Sequence, residues 1–190
     1  LVSKIKERAR SLRTGDGTRG CDMGPIVTAQ AQQRISGYID AGEAAGATLV
    51  VDGRDPEVDA EGNGFFVGPT LFDHVTPDMS IYKDEIFGPV LSVVRVNSYE
   101  EGVQLINDNP YGNGTAIFTN DGGAARQFQY EVKVGMIGIN VPVPVPMAYY
   151  SFGGWKNSLF GDTHAHGVEG FHFFTRGKVV TTRWLDPSHG

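Results

Sequence analysis

The chain has 190 residues, 40% of them hydrophobic and 20% charged, which suits a folded domain with its own core and excludes wholesale disorder. Sixteen Lys and Arg against twenty-two Asp and Glu leave a net charge of −6, so the dominant basic footprint of a general nucleic-acid binder is missing. One cysteine, Cys21, excludes an intrachain disulfide framework and a cysteine-cluster zinc site, and no apolar run is long enough to span a bilayer.

The opening segment places Leu1, Ile5, Ala9 and Leu12 on one helical stripe opposite its charges, and Gly15 is expected to end it. Thr28 predicts the N-cap of a second helix running to about Ala45, with Gly46 at its C-terminal end. Ile35, Tyr38 and Ile39 would face inward there, and Gly42 would allow close packing. Residues 47–51 read as a strand, and 54–64 as an exposed polar loop. Phe65 to Phe72 is a strand candidate interrupted by Gly68-Pro69, which favours an edge or bent strand.

Val90 to Val96 has the β-branched content of a buried strand. Ser98 and Glu101 form a capping box for a helix that presents Tyr99, Val103 and Ile106 on one face and ends at Pro110. Residues 115–119 read as a strand, and Asp121 to about Val132 as a helix with Ala125, Phe128 and Val132 inward. A glycine-thinned strand follows over 134–140. Lys178 to Trp184 reads as a last strand, able to pair outside its own sheet. This alternation predicts an α/β fold with a largely parallel sheet flanked by helices, without an internal repeat or an obvious linker.

Several motifs invite chemistry. Residues 15–20 match G-x-G-x-x-G, but they follow a helix rather than a strand, so a turn is the better reading. Arg19 could activate Cys21 as a nucleophile, yet no histidine lies near it in sequence and Asp22 opposes a thiolate. His164, His166 and His172 lack an acidic or sulfur-bearing partner at a metal-binding spacing, so ordinary histidines are expected and no metal. The Val-Pro repeat over 141–146 is either a rigid connector or the wall of a channel leading to Tyr149, Tyr150, Phe152 and Trp155. The sharpest signal is Glu85-Ile86-Phe87-Gly88-Pro89. Its carboxylate can accept hydrogen bonds from ribose hydroxyls while the ring packs on a flat heterocycle.

At that motif the chain resembles the C-terminal portion of NAD(P)-dependent aldehyde dehydrogenases. The likeness extends through Met23-Gly24-Pro25, Phe66-Val67-Gly68-Pro69-Thr70, Asn109-Pro110-Tyr111-Gly112, Ala116-Ile117-Phe118-Thr119, Gly138-Ile139-Asn140 and Ser151-Phe152-Gly153-Gly154-Trp155-Lys156. The Asn109–Phe118 segment, the Val-Pro repeat and Phe174–Thr181 are similar to the CoA-acylating methylmalonate-semialdehyde dehydrogenase branch.

The resemblance implies that Glu85 binds the nicotinamide ribose, Phe87 packs beside the nicotinamide, Phe152 sits at the aldehyde pocket and Asn140 near its floor. It implies NAD as cofactor, a small aldehyde and CoA as partners, and a homo-oligomer, dimer or tetramer, joined through the C-terminal strand. Residues 1–177 would be a partial catalytic domain, and 178–190 the oligomerisation strand and tail. The family's nucleophilic cysteine belongs to an upstream motif absent here, so no catalytic residue is assigned and Cys21 does not inherit the role. The start at Leu1, with neither initiator methionine nor signal peptide, reads as a piece of a longer protein of the cytoplasm, or of the mitochondrial matrix in a eukaryote. A dehydrogenase that releases a free acid, or a non-catalytic assembly module, are the alternatives.

Overall fold

A computed structural model describes residues 1–61 and 64–185. The chain forms two compact units, Leu1–Val96 and Asn97–Gly190.

The first unit contains α1 (Val2–Ser11), β1 (Thr14–Gly15), α2 (Ala29–Ala44), β2 (Thr48–Val51), β3 (Val58–Asp59), β4 (Thr70–Asp73), α3 (Ser80–Lys83) and β5 (Val90–Ser92). Helix α2 starts where Thr28 Oγ1 accepts from the Ala31 N–H at 3.1 Å, and it gives way to Gly46 at φ +94°. Its Ile35 and Ile39 are fully buried in a cluster with Val67, Phe72, Val75, Ile81 and Ile86. Gly42 is essential to that packing. A Cβ there would lie 2.8 Å from Ile81 Cδ1 and 3.0 Å from Phe72 Cζ.

The expected edge strand at Phe65 to Phe72 is instead central. β4 begins at Thr70 and lies between antiparallel β2 and parallel β5, buried along its whole length. Pro69 does not prevent this, because its missing N–H falls before the ladder, which Thr70 opens by donating to the Pro89 carbonyl at 2.8 Å. β5 is shorter than expected, at three residues.

Gly15 does not end the first helix either. α1 stops at Ser11, and Gly15 pairs in parallel with Asp59, so the expected loop over 54–64 contains the short β3. A side chain at Gly15 would place its Cβ 2.2 Å from the Asp59 carbonyl oxygen. Within that loop, residues 62 and 63 lie outside the described residues.

The second unit contains α4 (Tyr99–Asp108), β6 (Tyr111–Gly112), β7 (Gly114–Ile117), α5 (Gly122–Glu131), β8 (Met136–Ile139), β9 (Trp155–Lys156) and α6 (Gly167–Phe174). Ser98 Oγ caps Glu101 N–H at 3.1 Å, while the Glu101 carboxylate reaches one residue further back, to the Asn97 N–H at 2.8 Å. Asp121 caps α5. The β7–α5–β8 segment is a parallel crossover whose helix buries Ala125 and Phe128. Val103, Phe128, Val132 and Val134 form the core, with Tyr99 and Ile106 against it.

Helices alternate with parallel and antiparallel strand pairs through both units, as the alternation in the sequence predicts. Residues 178–184 depart from the expectation: they form no strand pairing among the described residues. Val179 and Trp184 are 94% and 91% exposed, and no neighbouring strand pairs with this segment among the described residues. The rest of the predicted tail, 186–190, lies outside the described residues.

Candidate functional site

Glu85 and Phe87 occupy the loop between α3 and β5. Alternation along this loop sends Ile86 into the core and leaves Glu85 and Phe87 exposed. The Glu85 carboxylate enters no hydrogen bond or ion pair among the described residues, so its acceptor capacity is open to a ligand. Phe87 is 79% exposed and adopts φ +51°, a conformation rarely taken by an aromatic residue and a mark of functional loops. A free carboxylate beside an unburied ring fits the ribose and nicotinamide of a dinucleotide.

Asn140 follows β8 at φ +57°. Its Oδ1 accepts from the Thr119 N–H at 2.9 Å, and its Nδ2 donates to the Thr119 carbonyl at 3.0 Å. Its own N–H donates to the Ile117 carbonyl at 2.8 Å. The side chain therefore locks together the ends of β7 and β8. Phe152 sits in the same unit, exposed, with the His166 ring edge-on at 5.4 Å.

The other motifs resolve into structure. Asp16 caps a 3-10 turn at Gly17–Arg19, and Gly20 adopts φ +73°, so the glycine-rich segment forms a hydrogen-bonded turn. Arg19 is committed to Asp59 and Glu61, each at 2.8 Å, rather than to Cys21. Cys21 Sγ lies 3.8 Å from both Arg13 Nη2 and the Asp59 carbonyl. His164 Nδ1 meets Ser151 Oγ, which also donates to Glu169 at 3.1 Å. Because serine and carboxylate both approach the Nδ1 side, the trio lacks the opposed arrangement of a nucleophile–base–carboxylate relay. His172 stacks edge-on against Phe171 instead. Residues 141–146 form no regular element, and Val141, Val143 and Val145 are exposed.

Sequence reasoning placed Tyr38 inward and overlooked Arg34; the polar ends of both reach the Glu85 loop from α2. Their four-residue spacing beside the apolar Ile35–Ile39 pair was the available signal.

The aldehyde dehydrogenase family profile matches residues 1–180. The chain belongs to the aldehyde dehydrogenase family. It is 62% identical over 185 residues to the malonate-semialdehyde dehydrogenase of Pseudomonas aeruginosa, covering 97% of this chain and 37% of that protein. Malonate-semialdehyde dehydrogenase 2 of Oceanobacillus iheyensis is 49% identical over 97% of the chain and 38% of its own length.

Among solved structures, the methylmalonate-semialdehyde dehydrogenase of Oceanimonas doudoroffii is 54% identical with a TM-score of 0.95. A proposed methylmalonate-semialdehyde dehydrogenase of Sinorhizobium meliloti, solved with NAD, is 53% identical with the same TM-score. The match covers all of this chain and 39% of each of those two. The chain thus spans less than two-fifths of the relatives it matches. Among the described residues, no helix is long and apolar enough to cross a membrane.

Proposed function

We propose that this chain is part of a longer NAD-dependent dehydrogenase that oxidises malonate or methylmalonate semialdehyde, with CoA as acyl acceptor. The observation that carries the reading is 62% identity to a malonate-semialdehyde dehydrogenase across 97% of the chain. The products are acetyl-CoA or propionyl-CoA, plus CO2. Bound NAD supplies the hydride acceptor.

This chain's share of the work is binding and shaping. Glu85 accepts hydrogen bonds from the nicotinamide ribose, and Phe87 packs beside the nicotinamide. Phe152 lines the aldehyde pocket. Asn140 acts near its floor by holding β7 and β8 together through Thr119. The thiolate that attacks the aldehyde comes from another part of the enzyme, because Cys21 lies outside the cysteine motif that the family resemblance implies. The chain alone is therefore inactive. Residues 178–184, with Val179, Val180 and Trp184 exposed, supply the strand by which subunits join as a dimer or tetramer. The same reading puts the enzyme in the cytoplasm, or in the mitochondrial matrix of a eukaryote.

The test is product analysis of the full-length enzyme given methylmalonate semialdehyde and NAD, with and without CoA. Propionyl-CoA formed in step with NADH supports the reading. A free acid as product, whether or not CoA is present, would identify a hydrolysing dehydrogenase instead. Absence of any turnover would favour a non-catalytic assembly role.

A further inference from the structure

We propose that Tyr38 and Arg34 of α2 are positioning residues for the cofactor loop, tethering it on either side of Glu85. The proposal rests on the reading of Glu85 and Phe87 as cofactor contacts.

The two side chains lie four residues apart and so project from one face of α2. The Tyr38 hydroxyl donates to Asp84 Oδ2 at 3.2 Å, and Arg34 Nη1 donates to the Ile86 carbonyl at 2.5 Å. Asp84 and Ile86 are the immediate neighbours of Glu85. The backbone that carries the carboxylate is thus held at both ends by one rigid helix.

Apolar contacts fix the loop's remaining freedom. Ile86 packs in the same buried cluster as Ile35, which lies between Arg34 and Tyr38 along the helix. Two residues on, Gly88 runs so close that a Cβ there would lie 2.6 Å from Ile35 Cδ1. With Ile86 anchored inward and both flanks tied, Glu85 and Phe87 point outward, and the unusual φ of Phe87 is held in place. An exposed carboxylate on an untethered loop would lose conformational freedom when a ribose bound. Prior fixation by α2 removes that cost, so the tethers favour cofactor binding without touching the cofactor.

The experiment compares Tyr38→Phe, Arg34→Met, Arg34→Lys, Asp84→Asn and Glu85→Gln in the full-length enzyme. KM for NAD, KM for the aldehyde, kcat and melting temperature are measured for each. Losing one tether should raise KM for NAD about three- to tenfold, the scale of one net hydrogen bond, with KM for the aldehyde unchanged. Asp84→Asn keeps an oxygen for Tyr38 and Arg34→Lys keeps a donor, so both should stay near wild type. An unchanged KM for NAD in Tyr38→Phe and Arg34→Met, with Glu85→Gln impaired, would overturn the tethers and leave the role of Glu85 intact. Equal rises in both KM values with a lower melting temperature would mean general loosening and would also overturn the proposal. If Glu85→Gln itself leaves KM for NAD unchanged, the underlying reading fails, and the tethers fail with it.

Discussion

Arg95 grips Asp73 as a fork, with Nε 2.9 Å from Oδ1 and Nη2 2.6 Å from Oδ2. The pair joins the end of the central strand β4 to the residues just after β5. The Arg95 hydrogen bonds, aided by the His74 N–H, hold the Asp73 carboxyl down at about 2, against an ordinary 3.8.

A pH dependence follows. The folded state binds this proton less readily than the unfolded one, so the contribution to stability is complete above about pH 4 and is lost as pH falls towards about 2. Unfolding midpoints measured across that window should decline with acidification. Asp73→Asn should flatten this part of the decline, and an unaltered slope would show that the pair does not matter.

Two glycines of α2 should respond in opposite directions to alanine. At Gly37 a Cβ meets nothing within 4 Å, so Gly37→Ala should stabilise the chain by roughly 0.5–1 kcal/mol through the unfolded state and helix propensity. At Gly42 the Cβ collides with Ile81 and Phe72, and overpacking of about 1–3 kcal/mol outweighs the same gain. Urea denaturation of both variants checks the contrast. A stabilised Gly42→Ala would show that the core yields more readily than its contacts imply.

These glycines also show what the sequence made legible. The stripe of Ile35, Ile39 and Gly42, the Thr28 and Ser98 caps and the inward face of α5 follow from helical periodicity and capping chemistry, and the structure has them. Pairing over long distances was not legible. Gly15 against Asp59 depends on two short segments meeting, and the central place of β4 depends on where the ladder begins relative to Pro69. The outward carboxylate and ring of the candidate site could be read from Glu85 to Pro89. Their support on α2 could not, because the four-residue spacing of Arg34 and Tyr38 marks a shared helix face but not the loop that this face bonds.

Lys156 provides a further check on the second unit. Its Nζ donates to the carbonyls of Ile106, Asn107 and Asn109 at 3.2, 3.0 and 2.9 Å, closing the C-terminal end of α4. Lys156→Met should cost about 1.5–3 kcal/mol, the range for hydrogen bonds to a charged group. Amide exchange should quicken in the last turn of α4 and at Gly112, which pairs with Trp155 in β9. Unchanged exchange there would show that water satisfies these carbonyls equally well.

On the function proposed, this chain carries cofactor and substrate contacts of a semialdehyde dehydrogenase while its one cysteine takes no part in the chemistry. The most direct measurement is NADH formation from methylmalonate semialdehyde, NAD and CoA by three proteins: this chain, the full-length enzyme and its Cys21→Ser variant. The account predicts no turnover by the chain and nearly equal rates for the other two. Turnover by the chain, or collapse of the rate in Cys21→Ser, would contradict it.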